Sequence, residues 1–179
     1  MKSIAVIGVG NILFMDDGIG VYAAKYLETN YRFDPAIDII DGGTLGFNLM
    51  HYFSHYDQVI LLDTLSIDEE AGSIYHLPSD VLLGLGDTRR TVHEVEVTQM
   101  IELASLIDAK AYISVIGIIP SDIQTVAMDL SPIVIERFGI FIQTLLSVLK
   151  EAGITVIQKD STALLGEILE SYRAPRIGR

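Results

Sequence analysis

Residues 3–20, SIAVIGVGNILFMDDGIG, constrain the fold of this chain more than any other stretch. The apolar run 4–7 breaks into Gly8-Val9-Gly10-Asn11, and a second apolar segment covers 12–15. Two adjacent carboxylates, Asp16 and Asp17, then precede Gly18-Ile19-Gly20. Consecutive apolar residues bounded by glycines read as a buried strand that turns tightly into a helix. Two neighbouring acids at a helix mouth repel each other and lose solvation. A helix N-terminus, a cation or a catalytic task has to hold them there.

The remaining pattern repeats that theme. Helical spacing runs from Gly18 to about Tyr31, with Ile19, Ala23 and Leu27 on one face, and Phe33-Asp34-Pro35 breaks it. A second strand over 37–40 ends in Asp41-Gly42-Gly43-Thr44, followed by a helix around 46–55. A third strand over 58–62 closes on Asp63. A weaker strand is expected at 73–76. Residues 78–91 read as a long irregular segment, of the kind that carries function. It delivers His93, and Val97, Met100, Ile101, Ala104 and Ile107 mark the next helix. The last strong strand covers 112–119. Ser131-Pro132 opens a long helix to Gly153, with Ser as cap and Pro in the first turn. A final edge strand is expected at 154–157 and a short helix at 164–172.

Strands alternating with helices predict a three-layer α/β/α sandwich. Its sheet is mostly parallel and twisted, with about five strands and helices on both faces. One α/β domain is expected over 1–157 and a C-terminal tail over 158–179. The length of 179 residues suits one domain, and the apolar half of the composition suits strands buried on both faces. No apolar run reads as long enough to span a bilayer. The opening run ends in glycines and acids without a small-residue cleavage pattern, so a strand is expected there rather than a signal peptide.

A net charge of −12, from 24 acids and 12 bases, argues against nucleic acid or an anionic membrane as partner. The absence of cysteine excludes a disulfide framework, a thiol nucleophile and a zinc ribbon, and suggests a cytoplasmic protein. Nothing in the sequence specifies an oligomeric state.

In open α/β sheets, ligands bind beyond the carboxyl ends of the strands, where strand order reverses. If the order begins 2-1-3, Asp17 hangs beyond the first strand, Asp63 closes the third, and His93 can reach the same mouth from its loop. Two carboxylates and an imidazole make an open site for a borderline divalent metal. Each also has a plainer role: Asp17 can complement a helix N-terminus, Asp63 can cap a turn, and His93 can be a solvated loop residue. His51 and His55 share a helical face without the glutamate of a zinc-protease helix, and with His76 they read as structural. A dinucleotide loop would need a third glycine where Leu13 stands, and the two acids would repel a pyrophosphate. No P-loop and no Gly-x-Ser-x-Gly elbow is present, and no organic cofactor is expected.

The sequence resembles the hydrogenase maturation endopeptidases. Their opening, G-x-G-N-x-L-x-x-D-[DE]-G-x-G, is matched in full from Gly8 through Asn11 and Asp17 to Gly20. Their D-G-G-T turn is matched at Asp41, Gly42, Gly43 and Thr44, and their strand-ending Asp at Asp63. The loop histidine falls on His93 by its place in the chain. The strand 116–120 and the helix start 130–132 are also similar, so the likeness covers about residues 2–153.

The resemblance implies a peptidase that removes a C-terminal extension from the precursor of a nickel-iron hydrogenase large subunit, after nickel insertion. It implies that Asp17, Asp63 and His93 contact nickel carried by the substrate. Asp16 and the Asp41 turn would then shape the loop or the cleft. The position of Asp17 is often Glu in the family, and Asp is one methylene shorter. Two rivals stand beside this reading: a self-contained metallohydrolase with a resident metal at the same three residues, and a non-catalytic, nickel-dependent factor that binds the precursor.

Overall fold

A computed structural model describes residues 2–84, 99, 101–103 and 110–174. The first strand, β1 (Ile4–Val9), is buried throughout. It leads through a 3-10 turn (Met15–Gly18) into helix α1 (Ile19–Asn30). Strands β2 (Tyr31–Asp34) and β3 (Asp38–Gly43) follow, then a second 3-10 turn (Gly46–Leu49) and α2 (Met50–His55). Strands β4 (Gln58–Thr64) and β5 (Ile74–Pro78) precede a short helix α3 (Ser79–Gly84). The described chain ends with β6 (Tyr112–Ile118), α4 (Pro132–Glu151), β7 (Thr155–Gln158) and α5 (Leu165–Arg173).

The main sheet has the order β3-β1-β4-β6-β5, with β5 alone antiparallel among these described strands. Strand order reverses between β1 and β4, which is the order on which the expected placing of Asp17 and Asp63 depended. Side chains leave successive strand positions on opposite faces, and this chain uses both. Ile4 and Val6 of β1, Ile60 and Leu62 of β4, and Ile116 and Ile118 of β6 pack with α1 and α4. Their neighbours Ala5, Ile7, Val59, Leu61, Ile113 and Val115 pack with Leu49, Phe53 of α2 and Ile101. This is the expected three-layer sandwich.

Helix α1 lies directly against the sheet because Gly20 has no side chain. A Cβ built there falls 2.1 Å from the Leu62 carbonyl oxygen and 2.4 Å from that of Val9. Gly20→Ala therefore has to lift the start of α1 off β1 and β4. It is expected to cost about 2–3 kcal/mol, read as a lower urea midpoint with an unchanged slope.

Four sequence expectations are corrected. The strand near 154–157 is not an edge of the main sheet: β7 pairs antiparallel with β2 in a separate two-stranded ribbon. Residues 31–34, read as the breaking of a helix, are that ribbon's first strand. Part of the segment expected to be irregular, Ser79–Gly84, is helical. Helix α4, with 20 residues, does have the length and apolar composition to cross a bilayer. Here its stripe of Val134, Phe138, Phe141, Ile142, Leu145 and Leu149 is buried against the sheet.

The amino ends of the strands are held by Asp57. Its carboxylate accepts from the backbone N–H and hydroxyl of Ser3, at 2.8 and 2.9 Å, and lies 2.7 Å from Lys110 Nζ. The Lys110 contact, then the two Ser3 bonds, hold its carboxyl well below the ordinary 3.8. A carboxyl with a lowered folded-state pKa stabilises above its unfolded value, and this is lost as pH falls below about 3.8. Asp57→Asn is expected to flatten the acid limb of stability measured from about pH 7 to about pH 2.

Candidate active site

The glycines of the opening motif bring two backbone turns together. The Gly10 N–H donates to the Gly43 carbonyl at 3.0 Å, which joins the first loop to the Asp41-Gly42-Gly43-Thr44 turn. Gly10 has φ +125°, and a Cβ there would fall 1.8 Å from the Asp17 carbonyl oxygen, so only glycine fits. Beyond it, the Asn11 side-chain oxygen accepts from Leu13 N–H at 3.0 Å. The Asn11 N–H donates to Asp17 Oδ2, also at 3.0 Å. Gly42 is buried, and a side chain there would press on Ile7 and the Gly8 carbonyl.

Asp16 and Asp17 are both buried, but they do different things. The Asp16 carboxylate accepts four hydrogen bonds from chain more than 100 residues away. Ser121 and Asp122 N–H groups donate at 2.9 Å, the Ser131 N–H at 2.6 Å and the Ser131 hydroxyl at 2.8 Å. Ser131 stands at the N-cap position of α4 as expected, yet its hydroxyl turns to Asp16 rather than capping the helix. Asp16 is thus a clasp between the motif and the start of α4.

Asp17 sits in the 3-10 turn, which packs against β4. Asp63, near the end of β4, is 2% exposed and accepts from its neighbour Thr64 N–H at 2.7 Å. It stands opposite Gly117 of β6, a position without a side chain. Both acids thus lie at the carboxyl edge of the sheet, beside the reversal of strand order. His93 lies outside the described residues. Asp41 is exposed and, with Gly10, Asn11, Thr44 and Tyr172, lines a cavity of about 250 Å³. His51 and His55 are exposed on α2, with Nδ1 bonded to the carbonyls of Asn48 and His51, and His76 is exposed on β5. Among the described residues no three His, Cys, Asp or Glu side chains are grouped to hold a metal ion.

A family model described as hydrogenase maturation protease, HycI, matches residues 21–148. The chain belongs to the hydrogenase maturation proteases. It is therefore a peptidase of that family. The match begins after the glycine and acid motif, so the motif and the family model support the assignment separately. The chain is 29% identical over 160 residues to the hydrogenase expression/formation protein HupD of Bradyrhizobium diazoefficiens, covering 88% of this chain and 83% of that protein. It is 26% identical to the Escherichia coli hydrogenase 2 maturation protease, over 88% of this chain and 97% of the relative. The solved hydrogenase maturating endopeptidase HybD from E. coli superposes with a TM-score of 0.80 at 26% identity. That superposition covers 89% of this chain and 99% of the other.

The tail packs onto the motif loop and lines the cavity beside it, which sequence reasoning missed. Helix α5 begins where Glu167 accepts from the Leu164 N–H at 2.7 Å, and Leu169 enters the core. Tyr172 meets Tyr22 edge-to-face at 5.3 Å. The Tyr22 hydroxyl donates to the Ile12 carbonyl inside the motif loop at 3.3 Å, and burial pushes its pKa up to about 12. Arg173 pairs with Asp129 at 2.7 Å and donates to the Met128 carbonyl at 2.7 Å, beside the segment that Asp16 clasps. The only local signal was the helical spacing of 164–172.

Proposed function

We propose that this peptidase removes the C-terminal extension of a nickel-iron hydrogenase large-subunit precursor in the cytoplasm, after nickel has been inserted. The observation that supports this is the pair of buried acids, Asp17 and Asp63, presented at the carboxyl edge of the sheet in a hydrogenase maturation protease. Burying a carboxylate is costly, and a cation brought alongside offsets that cost. In this reading the cation is nickel carried by the substrate. Asp17 and Asp63 engage it together with His93, and that contact places the adjacent peptide bond. Asn11 holds Asp17 by its backbone N–H, Asp16 holds the loop, and the Asp41 turn forms one wall.

The chain has no cysteine, so a thiol nucleophile is excluded and an activated water is the nucleophile of choice. The substrate's nickel can polarise the scissile carbonyl or lower the pKa of that water. The residues of the enzyme orient the metal-bearing end of the precursor, and burial of the two acids keeps the contact strong.

The test uses purified precursor with and without nickel. The expected result is cleavage of the nickel-loaded form only. Equal processing of metal-free precursor would reject substrate-borne nickel as the recognition element. Elemental analysis of the purified peptidase adds a second check, since stoichiometric, tightly held metal would move the site to a resident-metal hydrolase.

A further inference from the structure

Among the described residues β3 is the outer strand of the sheet, bonded to β1 on one side. Three cavities lie in a row beside it. The first, of about 250 Å³, opens at Gly10 and Asn11 and is walled by Asp41 and Tyr172. The second, of about 340 Å³, has Asp41 and Tyr172 again, with Ile39 and Glu28. The third, of about 420 Å³, has Ile39 and Glu28 again, with Ile37 and Phe33. Because each cavity shares two walls with the next, they form one groove along β3, between that strand and α1. Helix α5 closes it through Ser171 and Tyr172. The groove ends at Asn11, whose N–H bonds Asp17.

We propose that this groove and the outer edge of β3 bind the precursor segment around the cut as an added, extended strand. Six residues of β3, at about 3.3 Å each, give roughly 20 Å of edge. Among the described residues no strand pairs with the outer side of β3, and an extended peptide can add to such an edge by main-chain bonds. Alternate side chains of such a peptide point to one face and so enter the groove, whose floor is apolar at Ile37, Ile39 and Ala24. Its walls carry acids and bases together, Glu28 and Asp41 with Lys25 and Arg32, and Glu28 is paired with Lys25 at 2.7 Å, so the main chain of the guest rather than its charge is what the groove reads. Recognition by backbone pairing suits a peptidase, whose guest has to lie extended where its chain is cut. The groove delivers that end to the loop that carries Asp17.

This inference rests on the proposed function, and the experiment separates the two. Amide hydrogen exchange is measured on the wild-type protein with a synthetic peptide spanning the cut site of the large-subunit precursor encoded in the same genome. Amides 38–43 are expected to slow by about tenfold or more with peptide, while the opposite edge, β5, is unchanged. Ser171→Trp, which fills the middle cavity from the exposed side of α5, is expected to raise KM for the whole precursor about tenfold with kcat little changed. Unchanged exchange over 38–43 at saturating peptide overturns the groove, and this holds whether or not the variant folds. Protection that rises with protein concentration alone overturns it in favour of a second copy pairing through β3. A wild-type protein that cuts no nickel-loaded precursor overturns the function, and this occupant with it. Normal cutting with unaltered KM in Ser171→Trp overturns the groove alone.

Discussion

Asp17→Asn and Asp63→Asn are each expected to lower kcat/KM for nickel-loaded precursor by at least about 100-fold, with thermal stability close to wild type. The change keeps size and shape and removes only the charge. In the first variant the Asn11 N–H can still donate to the amide oxygen of the new side chain. In the second, the Thr64 N–H can do the same, so both turns keep their hydrogen bonds. What is lost is the attraction of a buried carboxylate for a cation, which is strong where water is excluded. Each buried acid that becomes neutral also sheds the cost of holding a charge away from water, which supports folding. The measurement is cleavage of the precursor resolved by mass, alongside a melting curve for each variant. Activity within about threefold of wild type in both variants would remove these acids from the site.

The neighbouring residue is expected to behave in the opposite way. Asp16→Ala should cost about 3–5 kcal/mol, lowering Tm by roughly 10 °C. Its carboxylate is fully buried and accepts four hydrogen bonds, from Ser121, Asp122 and twice from Ser131. Removing it leaves those donors without their acceptor, the most costly way to break such a network. It also unfastens the motif loop from the start of α4. Asp16→Asn keeps one acceptor oxygen and is expected to lose about half as much. Adjacent acids would then separate cleanly: one variant inactive and stable, the other unstable. A Tm for Asp16→Ala within about 1 °C of wild type would show that the clasp does not hold the fold.

The layout of the sheet was legible because strands buried on both faces leave an unmistakable trace. The runs at β1, β4 and β6 are apolar at nearly every position, and α1 and α4 carry their core faces at helical spacing. Residues 31–34 and 154–157 were harder, since each is largely half-buried or exposed and gains its strand identity only by pairing with the other. The helical turn at Ser79–Gly84 was hidden for a related reason: leucines and a glycine in a short segment carry no decisive period.

Local spacing specifies turn chemistry and burial, so the chain of letters alone was enough for the family, the layered α/β class and the positions where acids meet glycine turns. It also excluded a thiol mechanism outright. Telling Asp16 from Asp17 required the folded molecule. The partners of Asp16 lie 105 to 115 residues away, and no local pattern records a hydrogen bond across that separation. The same holds for Tyr22, Tyr172 and Arg173, which bind the tail to the motif loop through packing and charge rather than through any motif. Side-chain type sets what a residue can do. Which of two adjacent carboxylates is surrounded by donors is settled by the chain that folds back over it.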